Sequence, residues 1–193
     1  MTPNSRPESV GDPGELERRV VLHDGTAVQL RPIRPDDAAR LEALYARLSA
    51  DTIYKRFFTR MPTLSPELAR HFANVDHERR LAMVAEIPAA GDSIVIGVGR
   101  LDPADNPTAA ELALVVEDRW QRLGLGGILL DEILRAGEQR GYHEFRADVL
   151  TYNRRMLQLL SSHTDVTRRR TQDGVTELVF RRRPSSTVTA SEA

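Results

Sequence analysis

The stretch with the most chemical content is Gln121-Arg122-Leu123-Gly124-Leu125-Gly126-Gly127, which leaves a strand-like segment and enters a helix-like one. Backbone amides at such a junction lack intrahelical partners and point outward. Glycines let an anion approach them closely, and the helix dipole favours its charge. The stretch is therefore a candidate cradle for a diphosphate. Glycines in this place also serve simply to ease a strand-to-helix turn, and Gly-x-Gly alone does not separate the two readings. Two nucleotide-binding patterns fail at single positions. The dinucleotide fingerprint needs a third glycine where Leu129 stands, and the phosphate loop of nucleotide hydrolases needs Lys then Ser or Thr where the chain has Ile128. The chain has no cysteine, which excludes disulfides, thiolate metal sites and acyl transfer through an enzyme thiol. No His/Asp/Glu cluster has metal-ligand spacing, so no metal is expected.

The elements that must hold this loop follow from the apolar periodicity. Val20 to His23 and Ala27 to Arg31 flank Asp24-Gly25, a hairpin turn pair. Pro35 with Asp36 and Asp37 starts a helix whose apolar face is Leu41, Leu44, Tyr45 and Leu48. A second helix is expected over about 51–58, and a third from Ser65-Pro66 with a stripe of Leu68, Phe72 and Val75. The period then changes to two, giving strands at about 81–87, 93–101 and 110–117. Leu125, Ile128, Leu129, Ile133 and Ala136 mark a long helix over about 124–139, and Phe145, Ala147 and Val149 a strand after it. Because a helix crosses between them, that strand can run parallel to its predecessor. A short helix near 153–161 precedes strands at about 165–170 and 175–182. The order β-β-α-α-α-β-β-β-α-β-α-β-β predicts a mixed α/β (α+β) domain over 20–183, with polar, disordered tails at 1–19 and 184–193.

At 193 residues and 40% apolar, the chain can remove roughly 70% of its unfolded surface from water and needs no staples. A net charge of −1 provides no global field for nucleic acid or an anionic membrane. The runs Arg168-Arg169-Arg170 and Arg181-Arg182-Arg183 read as solvated strand edges. The apolar runs are short and Met1 to Gly14 is polar, so no spanning helix or signal peptide is expected and the protein is read as cytoplasmic.

The loop resembles the acetyl-CoA loop of the GNAT superfamily of N-acetyltransferases, Gln/Arg-x-x-Gly-x-Gly/Ala. Gln121, Gly124 and Gly126 match every specified position. The element order is similar over nearly the whole folded unit. Asn153 follows the next strand at a helix start, as that family's coenzyme-contacting asparagine does. Several segments look like the acetyltransferase domain of bacterial Pat-type protein lysine acetyltransferases: Asp24-Gly25, Arg31-Pro32-Ile33, Ser49, Tyr54-Lys55-Arg56-Phe57-Phe58, Val75-Asp76, Leu81 to Ala85, and Asn153 with Met156. The resemblance implies a GNAT-like fold, a mostly antiparallel central sheet with helices on both faces. It implies acetyl-CoA held by the loop Gln121, Arg122, Leu123, Gly124, Leu125, Gly126 and Gly127, with Asn153 beside its arm and the backbones of Val115 and Val116 pairing with the pantetheine as an added strand. It implies direct transfer to an amine, a protein lysine or, as the rival, a small molecule. An acyl-CoA-binding regulatory module without catalysis is the reading from a different class. Many members carry a tyrosine acid where this chain has Leu160, and their usual Gly-Phe is replaced around Ser162-His163-Thr164-Asp165. Asn153 also reads as an ordinary helix cap, and Tyr152 and His163 as packing or surface.

An amine with a pKa near 10.4 is almost wholly protonated at neutral pH, so a proton acceptor is useful. Glu111 is the candidate. It lies on the strand leading to the loop, and alternation puts it on one face with Ala113 and Val115, which would raise its pKa if they buried it. Ala110-Glu111-Leu112-Ala113 also resembles the Pat-type segment that carries the catalytic glutamate. The alternative is a strand-edge carboxylate in water. Glu86 has no motif around it, and Glu117 sits at a strand end where charge costs little.

Overall fold

The computed structural model describes residues 17–89 and 92–183. Eight strands form one sheet: β1 (Arg18–Val21), β2 (Ala27–Pro32), β3 (Leu81–Ala89), β4 (Asp92–Pro103), β5 (Ala109–Val116), β6 (Glu144–Leu150), β7 (Thr164–Gln172) and β8 (Val175–Arg182). Their order is β1-β2-β3-β4-β5-β6-β8-β7. The helices are α1 (Ala38–Arg47), α2 (Ala50–Phe57), α3 (Pro66–Ala73), α4 (Leu125–Glu138) and α5 (Arg154–His163). The domain starts earlier than expected. Arg18 and Arg19 pair with Leu30 and Gln29, and Glu17 accepts a hydrogen bond from Arg34. The remaining tail positions, 1–16 and 184–193, lie outside the described residues.

Side-chain alternation along β5 divides two apolar layers. Leu112, Leu114 and Val116 face a core built with Leu125, Leu129, Ile133 and Leu134 of α4 and with Leu157 and Leu160 of α5. Val115 turns the other way, toward Leu41, Leu44 and Tyr45 of α1 and Ala69 and Ala73 of α3. Helices therefore cover both faces. On α3 the fully buried positions are Ala69 and Ala73, whereas the predicted Leu68, Phe72 and Val75 pack only partly against the core. Small residues allow this short helix to sit close to the sheet, so its inner stripe is not its most apolar one. The turn Asp118–Trp120 is a short 3-10 helix that the sequence pattern does not announce.

Every neighbouring pair of strands is antiparallel except β5 and β6, which are parallel as expected. Their pairing covers only Ala109 to Glu111 against Glu144 to Arg146. Beyond that point β5 runs on to Val116 and β6 to Leu150 without pairing, which opens a cleft in the middle of the sheet. The unpaired backbone there offers hydrogen-bonding groups to a ligand.

Candidate active site

At the top of the cleft, the three loop glycines have separate tasks. Gly124 caps α4 with φ at +92°, a conformation that L side chains rarely adopt, and a Cβ there would lie 2.9 Å from His23 Nε2. The His23 amide donates to the Leu123 carbonyl at 3.1 Å, so the β1–β2 hairpin buttresses the loop. Gly127 faces the ring of His163, which a Cβ would approach to 2.5 Å; this glycine serves the packing of α5 on α4. Gly126 is different. A Cβ there would meet only the Leu159 and Leu114 side chains at ordinary contact distances, and both of these line the cavity below. Leu125 has a fully buried side chain, so it can contribute to the cradle only its amide. The amides of Leu125, Gly126 and Gly127 belong to the first turn of α4, where no intrahelical acceptor exists.

The cavity beneath this turn has a volume of about 430 Å³ and runs between α2, the end of β5, the loop and α5. Gln121 braces its wall, donating through Nε2 to the Val116 carbonyl at 3.0 Å and to Thr52 Oγ1 at 3.3 Å. Asp118 ties the start of α2 to the same wall. It accepts from the Ser49 amide and hydroxyl at 2.9 and 2.7 Å and from the Thr52 hydroxyl at 2.7 Å. Burial raises the Asp118 carboxyl, but these hydrogen bonds outweigh it and hold the group below the usual carboxylate range. Asn153 lines the cavity and also caps α5, its Oδ1 accepting from the Met156 amide at 3.3 Å. The side chains of Arg122 and Arg155 border the same space.

The expected pairing of both Val115 and Val116 with a coenzyme arm needs a correction. The Glu117 amide donates to Ile96 on β4, and the Val115 carbonyl lies against Gly97 of the same strand. Backbone groups alternate in direction along a strand, so Val115 is committed to β4 while Leu114 and Val116 turn theirs toward the cleft. Val115 reaches the cavity only with its side chain.

A second cavity, of about 290 Å³, continues down the cleft between Glu111 to Leu114 on β5 and Ala147 to Val149 on β6. Glu111 stands on its wall with Phe57, Phe58 and Met156. Its side chain is exposed, so the burial expected from Ala113 and Val115 is not realised. The two weaker candidates are bound elsewhere. Glu86 accepts from Arg31 at 2.8 Å and Ser93 at 2.9 Å, and Glu117 is buried between Arg47 and Arg119. Glu111 has no ion pair or hydrogen bond among the described residues.

The profile of the acetyltransferase (GNAT) family matches residues 42–163, which spans the cleft, the loop and α5. The chain belongs to the GNAT acetyltransferase family. Among solved structures it is similar to the GNAT domain of S. lividans PAT, with 32% identity and a TM-score of 0.80 over 89% of this chain and 99% of that one. The acetyltransferase Pat of Mycolicibacterium smegmatis is 29% identical over 142 residues, which make up 73% of this chain but only 42% of Pat. The fold also matches yncA from Salmonella typhimurium, solved with acetyl-CoA, at 17% identity and a TM-score of 0.64 over 79% of this chain and 91% of that one.

In this acetyltransferase the cleft brings Gln121, Gly124, Gly126, Gly127, Val116 and Asn153 to one cavity and Glu111 to the adjoining one. Leu160, at the family's tyrosine position, is fully buried in the core. His163 pairs with Asp131 at 3.2 Å over Gly127, and Tyr152 is exposed, with Lys55 Nζ 5.7 Å from its ring centroid. The sequence reading missed Asp118, Ser49 and Thr52 as a unit. Their signal is weak: a cap serine, a threonine three residues on and an aspartate sixty-nine positions after the serine are joined only by the fold. Among the described residues no cluster of His, Asp and Glu could hold a metal ion, and no helix is long and apolar enough to cross a membrane.

Proposed function

We propose that this acetyltransferase moves the acetyl group of acetyl-CoA directly onto an amine, and that the amine is a protein lysine. One observation carries the reading: the β5–β6 cleft joins the free amides of the α4 turn at one end to the Glu111 carboxylate, unpartnered among the described residues, at the other. The amides of Leu125, Gly126 and Gly127 donate to the coenzyme's pyrophosphate, and the α4 dipole adds to the attraction. Leu114 and Val116 offer backbone groups to the pantetheine arm, as an edge strand does to an added one. The Asn153 amide nitrogen, which its capping bond leaves free, faces the same arm. Glu111 takes the amine proton, directly or through one water, as the nitrogen bonds to the acetyl carbon and the carbon–sulfur bond breaks. With no cysteine in the chain, no acyl group passes through an enzyme thiol.

The likeness to two Pat proteins supports lysine as acceptor. The test is release of coenzyme thiol from acetyl-CoA against lysine peptides and whole-protein extracts, beside a panel of small amines, with mass spectrometry to identify the modified group. Lysine-specific acetylation is expected. Turnover confined to small amines would replace the acceptor, and tight acetyl-CoA binding without turnover on any amine would favour a binding module.

A further inference from the structure

Charged side chains crowd the acceptor end of the cleft, and several are matched. Asp102 accepts from Arg100 at 2.9 Å and from Arg80 at 3.1 Å. Arg146 pairs with Glu144 at 3.0 Å, and Lys55 pairs with Asp51 one turn away on α2. Three charges on the cavity wall have no ion pair or hydrogen bond among the described residues: Glu111 and Asp148, which are anionic, and Arg56, the cation. Glu111 sits opposite Asp102 in the β4–β5 register, where like charges disfavour each other, and no cation among the described residues lies within ion-pair distance of it. Arg56, in the last turn of α2, makes no ion pair or hydrogen bond among the described residues.

Arg56 is a half-buried guanidinium that borders both the coenzyme cavity and the acceptor cavity, where it faces Glu111. Its aliphatic and planar parts are packed, with the guanidinium carbon 4.9 Å from the Phe57 ring centroid. Burial and the nearby charge of Arg100 hold this cation below its usual pKa, and Asp102 and Glu111 offset only part of the effect. A desolvated guanidinium with open donors is a receptor for a planar anion, and a carboxylate matches its fork.

We propose that Arg56 and Glu111 together select acceptors bearing a carboxylate close to the reacting amine. The amine goes to the side of the cavity that carries the Glu111 and Asp148 carboxylates, with Glu111 as its proton acceptor, and the carboxylate goes to Arg56, the cation of that wall without a partner among the described residues. The inference rests on the transfer reading above and narrows it. The same chemistry comes from an aspartate or glutamate beside a target lysine, or from the α-carboxylate of a free amino acid.

The experiment compares kcat/KM by thiol release for blocked peptides that contain one lysine flanked by Glu or by Gln, and, in a second arm, for lysine against lysinamide. A hydrogen-bonded charge pair of this kind corresponds to a preference of about tenfold or more for the carboxylate-bearing acceptor. In Arg56→Gln the ratio should collapse toward one, in Arg56→Lys part of it should survive, and in Arg56→Glu it should invert in favour of Arg-flanked peptides. Circular dichroism verifies that each variant is folded. Preference in the peptide arm identifies a protein-borne carboxylate, and preference in the free-lysine arm alone identifies the α-carboxylate. A wild-type ratio near one in both arms overturns the proposal and leaves the transfer reading intact. So does a ratio that Arg56→Gln leaves unchanged, since Arg56 would then serve Glu111 alone. No transfer to any acceptor overturns the transfer reading, and this inference with it.

Discussion

Glu111 differs from Glu86 and Glu117 in what its carboxylate meets. The other two lie within ion-pair distance of arginines, whereas Glu111 opens on a cavity with no partner among the described residues. A group held in a salt bridge gives up its role as proton acceptor, and a free one keeps it. Glu111→Gln preserves the shape and removes the acceptor. Turnover should fall by about 10²–10⁴-fold, with acetyl-CoA affinity little changed in calorimetry and partial recovery at higher pH, where more of the amine is neutral. Near-normal turnover would make Glu111 an ordinary strand carboxylate. Gly126 and Gly124 make a second pair of tests. Gly126→Glu has room at Cβ and sends its carboxylate toward the coenzyme cavity, so acetyl-CoA should bind at least about tenfold more weakly while the fold is retained. Gly124→Ala should instead cost stability, about 1 kcal/mol for the positive φ and more for the approach to His23.

Among elements, α2 and α5 form the two sides of the cleft, and each is fixed at its N-terminus. Asp118 holds α2 through Ser49 and Thr52, and Gln121 links Thr52 to the end of β5. Asp118→Ala removes three hydrogen bonds at once. Because their donors are exposed and water replaces part of the loss, a cost of about 1–2 kcal/mol is expected in urea unfolding. The Michaelis constant for acetyl-CoA should rise more than that for the acceptor, since the clamp borders the coenzyme cavity. An effect on the acceptor alone would assign α2 to the other substrate. Asn153 does two things at one position. Asn153→Ala should cost roughly 1 kcal/mol as a lost cap and also raise the acetyl-CoA Michaelis constant. A stability loss with unchanged kinetics would leave it a cap only.

Across the whole molecule, the layer of α1 and α3 is locked to the sheet by a buried charge cluster. Arg31 donates to both Asp37 oxygens at 2.7 Å and to Glu86 at 2.8 Å, joining β2, the turn before α1, and β3. Burial raises the Asp37 carboxyl, but Arg31, the Arg34 amide and Arg40 outweigh it, and its pKa lies below the usual range. The folded state therefore binds fewer protons at Asp37 than the unfolded chain does. The stabilisation is complete above about pH 4 and is lost as pH falls through the lower folded value. Thermal melts should be flat on this account near neutrality and fall steeply in acid. Asp37→Asn should lower stability at pH 7 by about 3 kcal/mol, because Arg31 loses its main partner, and should flatten that acid limb. An acid limb of unchanged slope would place the titration elsewhere.

The periodicities of the sequence were sufficient for the element order, because burial of one face dictates a repeat of two or 3.6 whatever the tertiary partner. Gln121, Gly124 and Gly126 were legible for a local reason: an amide cradle is a property of one turn. Glu111 was legible as a candidate position, but whether it is buried or exposed was left open, since burial depends on what packs over that face of β5 and no residue pattern encodes that. The β4–β5 register decided that Val116 and not Val115 turns its backbone to the cleft. Tertiary structure alone brought Asp118 to Ser49 and Thr52, buried Leu160, and left Arg56 on one cavity wall with Glu111 and Asp148. Pairing among charges far apart in the chain is set by the path of the backbone through space, and a linear pattern carries no record of it.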